Sequence, residues 1–268
     1  MTASAPRYGR LMAAFFSLRW IAVWRRHARV WRKLAGPALL GNIGEPLLYL
    51  LALGYGLGAF VGELQGMDYV TFLASGFVCA SAMNTATFES LYSAYTRMAV
   101  QETWNAMLYT PLALEDVVLG EAAWAASKSL LSATAILLVA AALGAVEGWQ
   151  AIGVLPVAFL TGLCFGAMAL VITAVARNYD FFLYYFTLFL TPVLLLSGVF
   201  FPLEGMPDAI RIGAEVFPLS HAIALVRPWM TGQDLAALDA MTHAAVIAAY
   251  TLLALALATR LLRRRIMR

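Results

Sequence analysis

Charged residues are scarce in this sequence. They make up 12% of its 268 residues, whereas hydrophobic residues make up 62%, and an ordinary soluble domain carries roughly 25% charged residues. A soluble fold of this length could not bury so much apolar surface. The formal charge of +3 comes without a basic stripe interleaved with aromatic residues, so nucleic acid is not an expected partner.

Residues that could bind a metal or act in catalysis are also few. The three histidines lie far apart along the chain, so a metal site is not expected. Cys79 and Cys164 fall in apolar stretches, where a small buried thiol is the ordinary interpretation and a disulfide is not expected. The sequence contains no phosphate loop, no H-E-x-x-H and no G-x-S-x-G motif. We therefore predict no catalytic residues and no cofactor site, and a chain that is not an enzyme by itself.

Long apolar runs are what the sequence does contain. A helix needs about 20 apolar residues to cross about 30 Å of hydrocarbon, and the chain has room for six such segments. Runs such as 130–143 lack the alternation of a barrel strand, which predicts an all-α integral membrane protein. The predicted spans are 35–60, 70–92, 115–143, 151–176, 181–201 and 238–261.

The basic residues fall on one side of these spans. Fifteen of the 18 lysines and arginines lie before the first span, in the second and fourth loops, or at the C-terminal end. Positive charge is retained in the cytoplasm, so both termini are predicted to be cytoplasmic and the number of spans to be even. The predicted location is the inner membrane of a bacterium.

An amphipathic segment precedes the first span. Over 19–34 the cationic side chains fall on one half of a helical wheel and three tryptophans fall on the other. We predict an interfacial helix whose basic face meets either anionic lipid or a protein partner. Residues 1–34 are assigned to a cytoplasmic tail that contains this helix, and residues 35–268 to the membrane domain.

Two connections between spans are unusual. The loop at 93–114 is long and polar, and residues 95–108 can form a short helix exposed to the cytoplasm. The outer segment 198–237 is too apolar for a solvated loop and is interrupted by four prolines. Two short helices, at 207–216 and 219–230, that dip into the outer leaflet would fit; they would either form a lid on an exit path or only cap the bundle.

Four of the charged side chains within the predicted spans are candidates for function, because each intramembrane charge costs about 2.5–3.5 kcal/mol. They are Glu45, Glu89, Glu121 and Lys128. Glu121 and Lys128 are two helical turns apart and share one face, and either Glu45 or Glu121 could neutralise Lys128. Pro46 predicts a kink at Glu45, and we predict a pore-side or gating role for that carboxylate.

Aromatic residues cluster at the start of the fifth span. An interfacial belt explains the first of them, whereas those further in could stack on a sugar or an acyl chain. Tyr184 and Tyr185 therefore join the four intramembrane ionisable groups as candidates for the transport path or its gate.

Six separated blocks resemble the permease of type-2 ABC exporters, and within that family the NodJ-like branch of nodulation lipo-oligosaccharide exporters. The resemblance holds in order and spacing over nearly the whole chain. The blocks are EPLLYLLALGYGLG (45–58), SAMNTATFESLYSAYTRM (81–98), QETWNAMLYTPL (101–112), GEAAWAASKSLL (120–131), SGVFFPLEGMP (197–207) and PLSHAIALVRP (218–228).

This resemblance implies a half-transporter, in which two copies of the permease assemble with two copies of a separate cytoplasmic ATPase that binds ATP and magnesium. Residues 8–34 would be a connecting helix, 95–108 the coupling helix that sits on the ATPase, and 199–230 the re-entrant outer helices. The residues that would face the ATPase are Arg97, Gln101, Thr103 and Trp104.

The expected activity is ATP-driven export of a lipid-linked or lipo-oligosaccharide substrate by two permeases that switch between two arrangements. They would pair through one self-complementary patch that includes spans one and five. Polysaccharides and drug-like amphiphiles are alternative cargoes. An ion-coupled carrier is a rival, although such folds usually carry internal repeats and the halves 1–134 and 135–268 show no convincing similarity. An intramembrane enzyme would need convergent catalytic groups, and none are apparent.

Overall fold

The structure is a computed structural model and is nearly all helical. Among the residues it describes, four helices are long and apolar enough to cross a membrane: Tyr69–Val100, Leu114–Ala142, Trp149–Val175 and Ala237–Ile266. The described residues are 7–33, 35–233 and 235–267, with all side chains except those of 7–10, 35 and 37–46.

The helices follow one another with short connections. In chain order they are α1 (Arg7–Ser17), α2 (Trp20–Trp31), α3 (Ala35–Gly56), α4 (Gly58–Val61), α5 (Tyr69–Phe88), α6 (Thr103–Leu108), α7 (Leu114–Ala142), α8 (Val154–Val175), α9 (Phe181–Tyr185), α10 (Thr191–Leu196), α11 (Asp208–Glu215), α12 (Pro218–Thr231) and α13 (Ala237–Ile266). π-Helical stretches at Glu89–Ser93 and Thr96–Val100 prolong α5, and another at Phe186–Leu190 joins α9 to α10. The strands β1 (Glu63–Leu64) and β2 (Met67–Asp68) form a small antiparallel hairpin before α5.

Helix α5 is the centre of the bundle because its residues are apolar or small on every face. It packs against α3, α7, α8 and α12, and α13 lies against α8. Small residues set the distance between α7 and α8: a Cβ atom on Gly162 would lie 2.5 Å from the Ser129 side chain. Ser129 is buried and donates to the Ala82 carbonyl of α5 at 2.8 Å, so three helices meet at this point.

Four of the six predicted spans correspond to the four long apolar helices. Among the residues whose side chains are described, the predicted first and fifth spans contain shorter apolar helices, Leu47–Val61 and Phe181–Leu196, and the backbone of α3 begins at Ala35. The second of these ends early because the chain turns at Gly198, where φ is +78°. Length and composition thus support four spans among the described residues, or five if the bent pair α11–α12 counts as one.

The outer segment contains two helices within a residue of the predicted ranges. Helices α11 and α12 meet at 87°, and Pro218 occupies the first turn of α12, where its missing N–H leaves no hydrogen bond unmade. Arg227 of α12 donates to the Gly198 carbonyl at 2.5 Å and to Ser75 Oγ at 3.2 Å. Its guanidinium lies 3.8 Å from the ring centre of Phe72, which ties α12 to the beginning of α5.

The close approach of α7 and α8 predicts that Gly162→Ala destabilises the protein. The added methyl group would overlap Ser129, and overpacking of this kind lowers the free energy of unfolding by about 1–3 kcal/mol. In the matched control Gly213→Ala, no atom lies within 4 Å of the new Cβ. Thermal unfolding in detergent should show a lower Tm for the first variant and an unchanged or higher Tm for the second; equal Tm values would contradict the packing described.

Candidate functional site

Several basic residues gather at one end of the bundle, which we call the basic end. Arg263 near the end of α13 forms an ion pair with Glu115 at the beginning of α7. Arg265 donates to backbone carbonyls at the end of α8, and the Tyr95 hydroxyl donates to the Arg177 carbonyl at 2.6 Å. These contacts place the ends of α5, α8 and α13 and the beginning of α7 together.

Within the basic end, Arg97 joins two carboxylates that are far apart in the sequence. Its Nη2 atom lies 2.9 Å from Glu89 Oε1 and 2.5 Å from Glu121 Oε2, and its Nε atom donates to Glu121 Oε1 at 3.1 Å. The Arg97 side chain is 13% exposed and that of Glu121 is 1% exposed. We refer to Glu89, Arg97, Glu121 and Lys128 as the ionic cluster.

Glu89 uses both oxygens within this cluster. Lys128 Nζ donates to Glu89 Oε2 at 2.8 Å, and the indole nitrogen of Trp124 donates to Oε1 at 3.1 Å. The prediction gave Glu45 or Glu121 as the partner of Lys128; among the described residues the partner is Glu89, and Glu121 is engaged by Arg97. Two cations face two anions, so the cluster is balanced in charge, as the cost of burying unpaired ions requires.

Glu121 attaches two further elements to the cluster. Trp104 of α6 donates its indole N–H to Glu121 Oε1 at 2.9 Å, and His27 Nε2 of α2 lies 3.1 Å from the same atom. On α2, burial and the Arg97 cation lower the pKa of Arg26 below the usual arginine range. Helices α2, α5, α6 and α7 are therefore joined through one carboxylate and its partners.

The local backbone explains how these side chains meet. Glu89 and Arg97 are eight residues apart, which on a regular α-helix at about 100° per residue would separate them by about 80° around the axis. The π-helical turns after Phe88 advance less per residue and bring the two side chains closer to one face. Glu102 then adopts a left-handed conformation with φ 50°, which turns the chain so that α6 presents Trp104 to α7.

The proposed ATPase-facing residues differ in exposure. The range 95–108, expected to be one helix, is the end of the α5 extension, a left-handed turn and then α6. Gln101 is exposed and Thr103 is half-buried, whereas Trp104 is completely buried. Arg97 and Trp104 point into the cluster, and contact of any of the four with an ATPase stays a prediction.

Tyr184 and Tyr185 are not part of the ionic cluster. Tyr184 is 62% exposed, while Tyr185 is buried and stacks on Phe189 with ring centres 5.1 Å apart. The Tyr185 hydroxyl has no hydrogen-bond partner among the described residues. The side chain of Glu45 lies outside the described residues, so its pore-side role stays a prediction.

His27 and Tyr109 were not predicted from the sequence. His27 continues the spacing of Trp20, Trp24 and Trp31 on the face of α2 that packs against α7, so this spacing could have identified it. Tyr109, directly after α6, is 92% exposed, and an exposed aromatic residue on a polar loop is a common contact residue in interfaces.

Two of the three histidines lie close together in the structure although they are 22 residues apart in the sequence. His221 and His243 have Nδ1 atoms 2.7 Å apart, and His221 Nε2 lies 2.8 Å from the Glu215 carbonyl. In the part of the chain that the structure describes, no group of three or more His, Cys, Asp or Glu could hold a metal ion.

A bundle of helices long and apolar enough to cross a membrane indicates an integral membrane protein. The chain belongs to the ABC-2 type transporter family, whose model matches residues 17–231. It is 48% identical to nodulation protein J of Rhizobium leguminosarum bv. trifolii over 94% of this chain and 95% of that protein. It is 45% identical to nodulation protein J of Bradyrhizobium diazoefficiens over 93% and 94% of the two chains, and 24% identical to the inner membrane transport permease YadH of Escherichia coli over 77% and 82%. The predicted resemblance is confirmed.

The geometry of the cluster predicts a large effect of Glu121→Gln. Removing this charge leaves Arg97 and Lys128 facing Glu89 alone, and breaking a buried ion pair lowers the free energy of unfolding by about 3 kcal/mol or more. The exposed pair Asp208–Arg211 provides the control, because Asp208→Asn should cost less than about 1 kcal/mol. Unfolding of both variants in detergent, followed by tryptophan fluorescence, compares them; similar losses would contradict the assigned role of Glu121.

Proposed function

We propose that this chain is the permease subunit of an ATP-driven exporter that moves a lipo-oligosaccharide or another lipid-linked glycan outward across the inner membrane of a bacterium. The observation that carries the proposal is the near-full-length similarity to nodulation protein J at 48% identity. ATP would be bound, with magnesium, by a separate cytoplasmic ATPase subunit. The permease would contribute the substrate path and the helices that move during transport.

The proposal includes six spans and two cytoplasmic termini. The four long apolar helices would be joined by α3, which has 22 residues, and by the continuous helix Phe181–Leu196. A helix of 22 residues rises about 33 Å, enough for the hydrocarbon core. The basic end would face the cytoplasm because positive charge is retained there, and residues 1–34 would form the cytoplasmic tail.

In this arrangement α6 and the turn before it would lie on the ATPase. Gln101 and Thr103 at the turn and Tyr109 at the other end of α6 present side chains for such a contact. Arg97 and Trp104 would act one step further in, as positioning residues. Their hydrogen bonds to Glu121 connect the α6 region to α7 and, through Glu89, to the body of α5.

Movement of the ATPase would thereby become movement of several helices together. Charge-assisted hydrogen bonds hold α2, α5, α6 and α7 in one geometry at the basic end, so displacement of α6 would shift this group as one body. The π-helical turns of α5 lie between the cluster and the rest of the span, and such turns often mark functional hinges.

The substrate path and the dimer interface belong to the same proposal. Large apolar side chains on α3 and on the helix that begins at Phe181 are exposed, among them Tyr55, Leu183 and Leu188; these surfaces would meet lipid or the second copy of the permease. Tyr184 lies on the same exposed surface and could contact a sugar or an acyl chain. The outer helices α11 and α12, within 199–230, would be re-entrant and form the lid on the exit.

Polysaccharide or drug-like amphiphiles are alternative cargoes. An ion-coupled carrier is a weaker candidate, because a carboxylate that carries protons must be free to exchange them. Both oxygens of Glu89 and both of Glu121 are engaged by cations or indole N–H groups.

Tyr109→Ala should weaken binding of the ATPase subunit. Loss of an exposed aromatic contact at the centre of an interface costs about 1–2 kcal/mol, which is roughly 5- to 30-fold in Kd. Phe60→Ala is the control, since Phe60 is 88% exposed near the opposite end of the bundle. Co-purification and ATPase titration of both variants in lipid nanodiscs measure the effect. Equal affinity of wild type and Tyr109→Ala would place the ATPase elsewhere.

Export should depend on ATP and on no ion gradient. In proteoliposomes that contain the permease and its ATPase, a fluorescent lipo-oligosaccharide should move only when ATP reaches the ATPase side. The rate should survive ionophores that collapse proton and sodium gradients. Transport that follows the gradient and ignores ATP would support the ion-coupled carrier instead.

A further inference from the structure

A cavity of about 390 Å³ lies at the basic end between the C-terminal ends of α8 and α13. Its wall combines two kinds of residue. Arg177, Arg264 and Arg265 contribute cations, whereas Val175 and Leu261 contribute apolar surface. Neither the ionic cluster nor α6 contributes to this wall, so the cavity is distinct from the site described above.

The positive charge of this cavity is not neutralised by the side chains around it. No acidic side chain lines the cavity among the residues that the structure describes. Glu115, the carboxylate held at this end by α13, is already paired with Arg263. Guanidinium groups are well suited to phosphate oxygens because they offer several donors in a fixed planar geometry.

Arg265 is held in place by the backbone. Its Nη1 atom donates to the carbonyls of Thr173, Ala174 and Ala176 at 2.9, 3.2 and 2.6 Å. These carbonyls end α8, where the helix dipole is negative. The contact fixes α13 against α8 and gives the cavity a built edge, which leaves the exposed Arg177 and Arg264 free to meet a ligand.

An apolar track leads away from the arginines into the span. Leu261 lines the cavity, and Leu257 and Leu253 follow at four-residue intervals on the same face of α13. Leu257 is 46% exposed and Leu253 is 71% exposed. Eight residues of helix cover about 12 Å, so this track extends about 12 Å along α13 from the cavity.

We propose that this cavity binds the phosphate headgroup of an anionic phospholipid, with one acyl chain along Leu261, Leu257 and Leu253. Basic pockets between span ends are suited to such headgroups. Lipid in the cytoplasmic leaflet follows from the proposed orientation of the basic end; binding itself does not depend on it. The lipid would brace the ends of α8 and α13.

The test is binding of phosphatidylglycerol to the purified full-length permease, measured by native mass spectrometry with phosphatidylcholine as the zwitterionic comparison. The variant Arg177→Gln/Arg264→Gln leaves the Arg265 contact intact. Its affinity for phosphatidylglycerol should fall roughly 30-fold, at about fivefold per arginine. The control Arg25→Gln/Arg260→Gln removes the same charge from exposed positions outside the cavity and should change the affinity far less.

The variant Arg177→Lys/Arg264→Lys distinguishes a loss of charge from a loss of folding. It should retain most of the lipid binding because lysine still attracts phosphate. Unchanged affinity of the glutamine variant would overturn the proposal. So would full displacement of the lipid by excess inorganic phosphate, which would indicate a phosphate site, or loss of ATPase binding with lipid binding intact, which would indicate a protein interface. ATP-dependent export by a variant that lacks the lipid would leave the proposed function standing.

Discussion

Arg97 held between Glu89 and Glu121 is the interaction on which the basic end of the bundle depends. Each carboxylate is bound to a second cation or indole N–H group, and these partners come from α2, α6 and α7. Burial makes the arrangement all-or-none, because a missing partner leaves an ion in a medium that solvates it poorly. The π-helical winding of α5 and the left-handed Glu102 are the backbone conformations that let the partners meet.

The two ends of the bundle are held together by different kinds of interaction. At the end where α12 lies, Arg227 donates to the Gly198 carbonyl and the Ser75 hydroxyl, and neither acceptor carries a charge. At the basic end, cations face carboxylates directly. The contact between α12 and α5 therefore lacks the ion pairs that hold the basic end together.

Local features could be predicted from the sequence, and long-range partners could not. Apolar runs indicated the four long helices, and the prolines of the outer segment indicated α11 and α12 within a residue. The partner of Lys128 was not predicted correctly, because Glu89 lies 39 residues away in the sequence. Only the packing of α5 on α7 brings the two side chains together. The partner of the buried Trp104 is also distant, because Glu121 lies 17 residues further along the chain. Nothing tests the predicted roles of Glu45, Tyr184 and Tyr185.

A helix contact made of ion pairs is more directional than an apolar contact, and this property suits helices that must move together. Apolar residues of similar volume would hold these helices about as firmly, but dispersion contacts are non-directional and allow helices to slide in small steps. The forked donors of Arg97 and the two indole N–H groups fit their carboxylates in one geometry. Under the proposed coupling to an ATPase, displacement of α6 would be transmitted to α7 through the hydrogen bond of Trp104 to Glu121 and would not be absorbed by repacking.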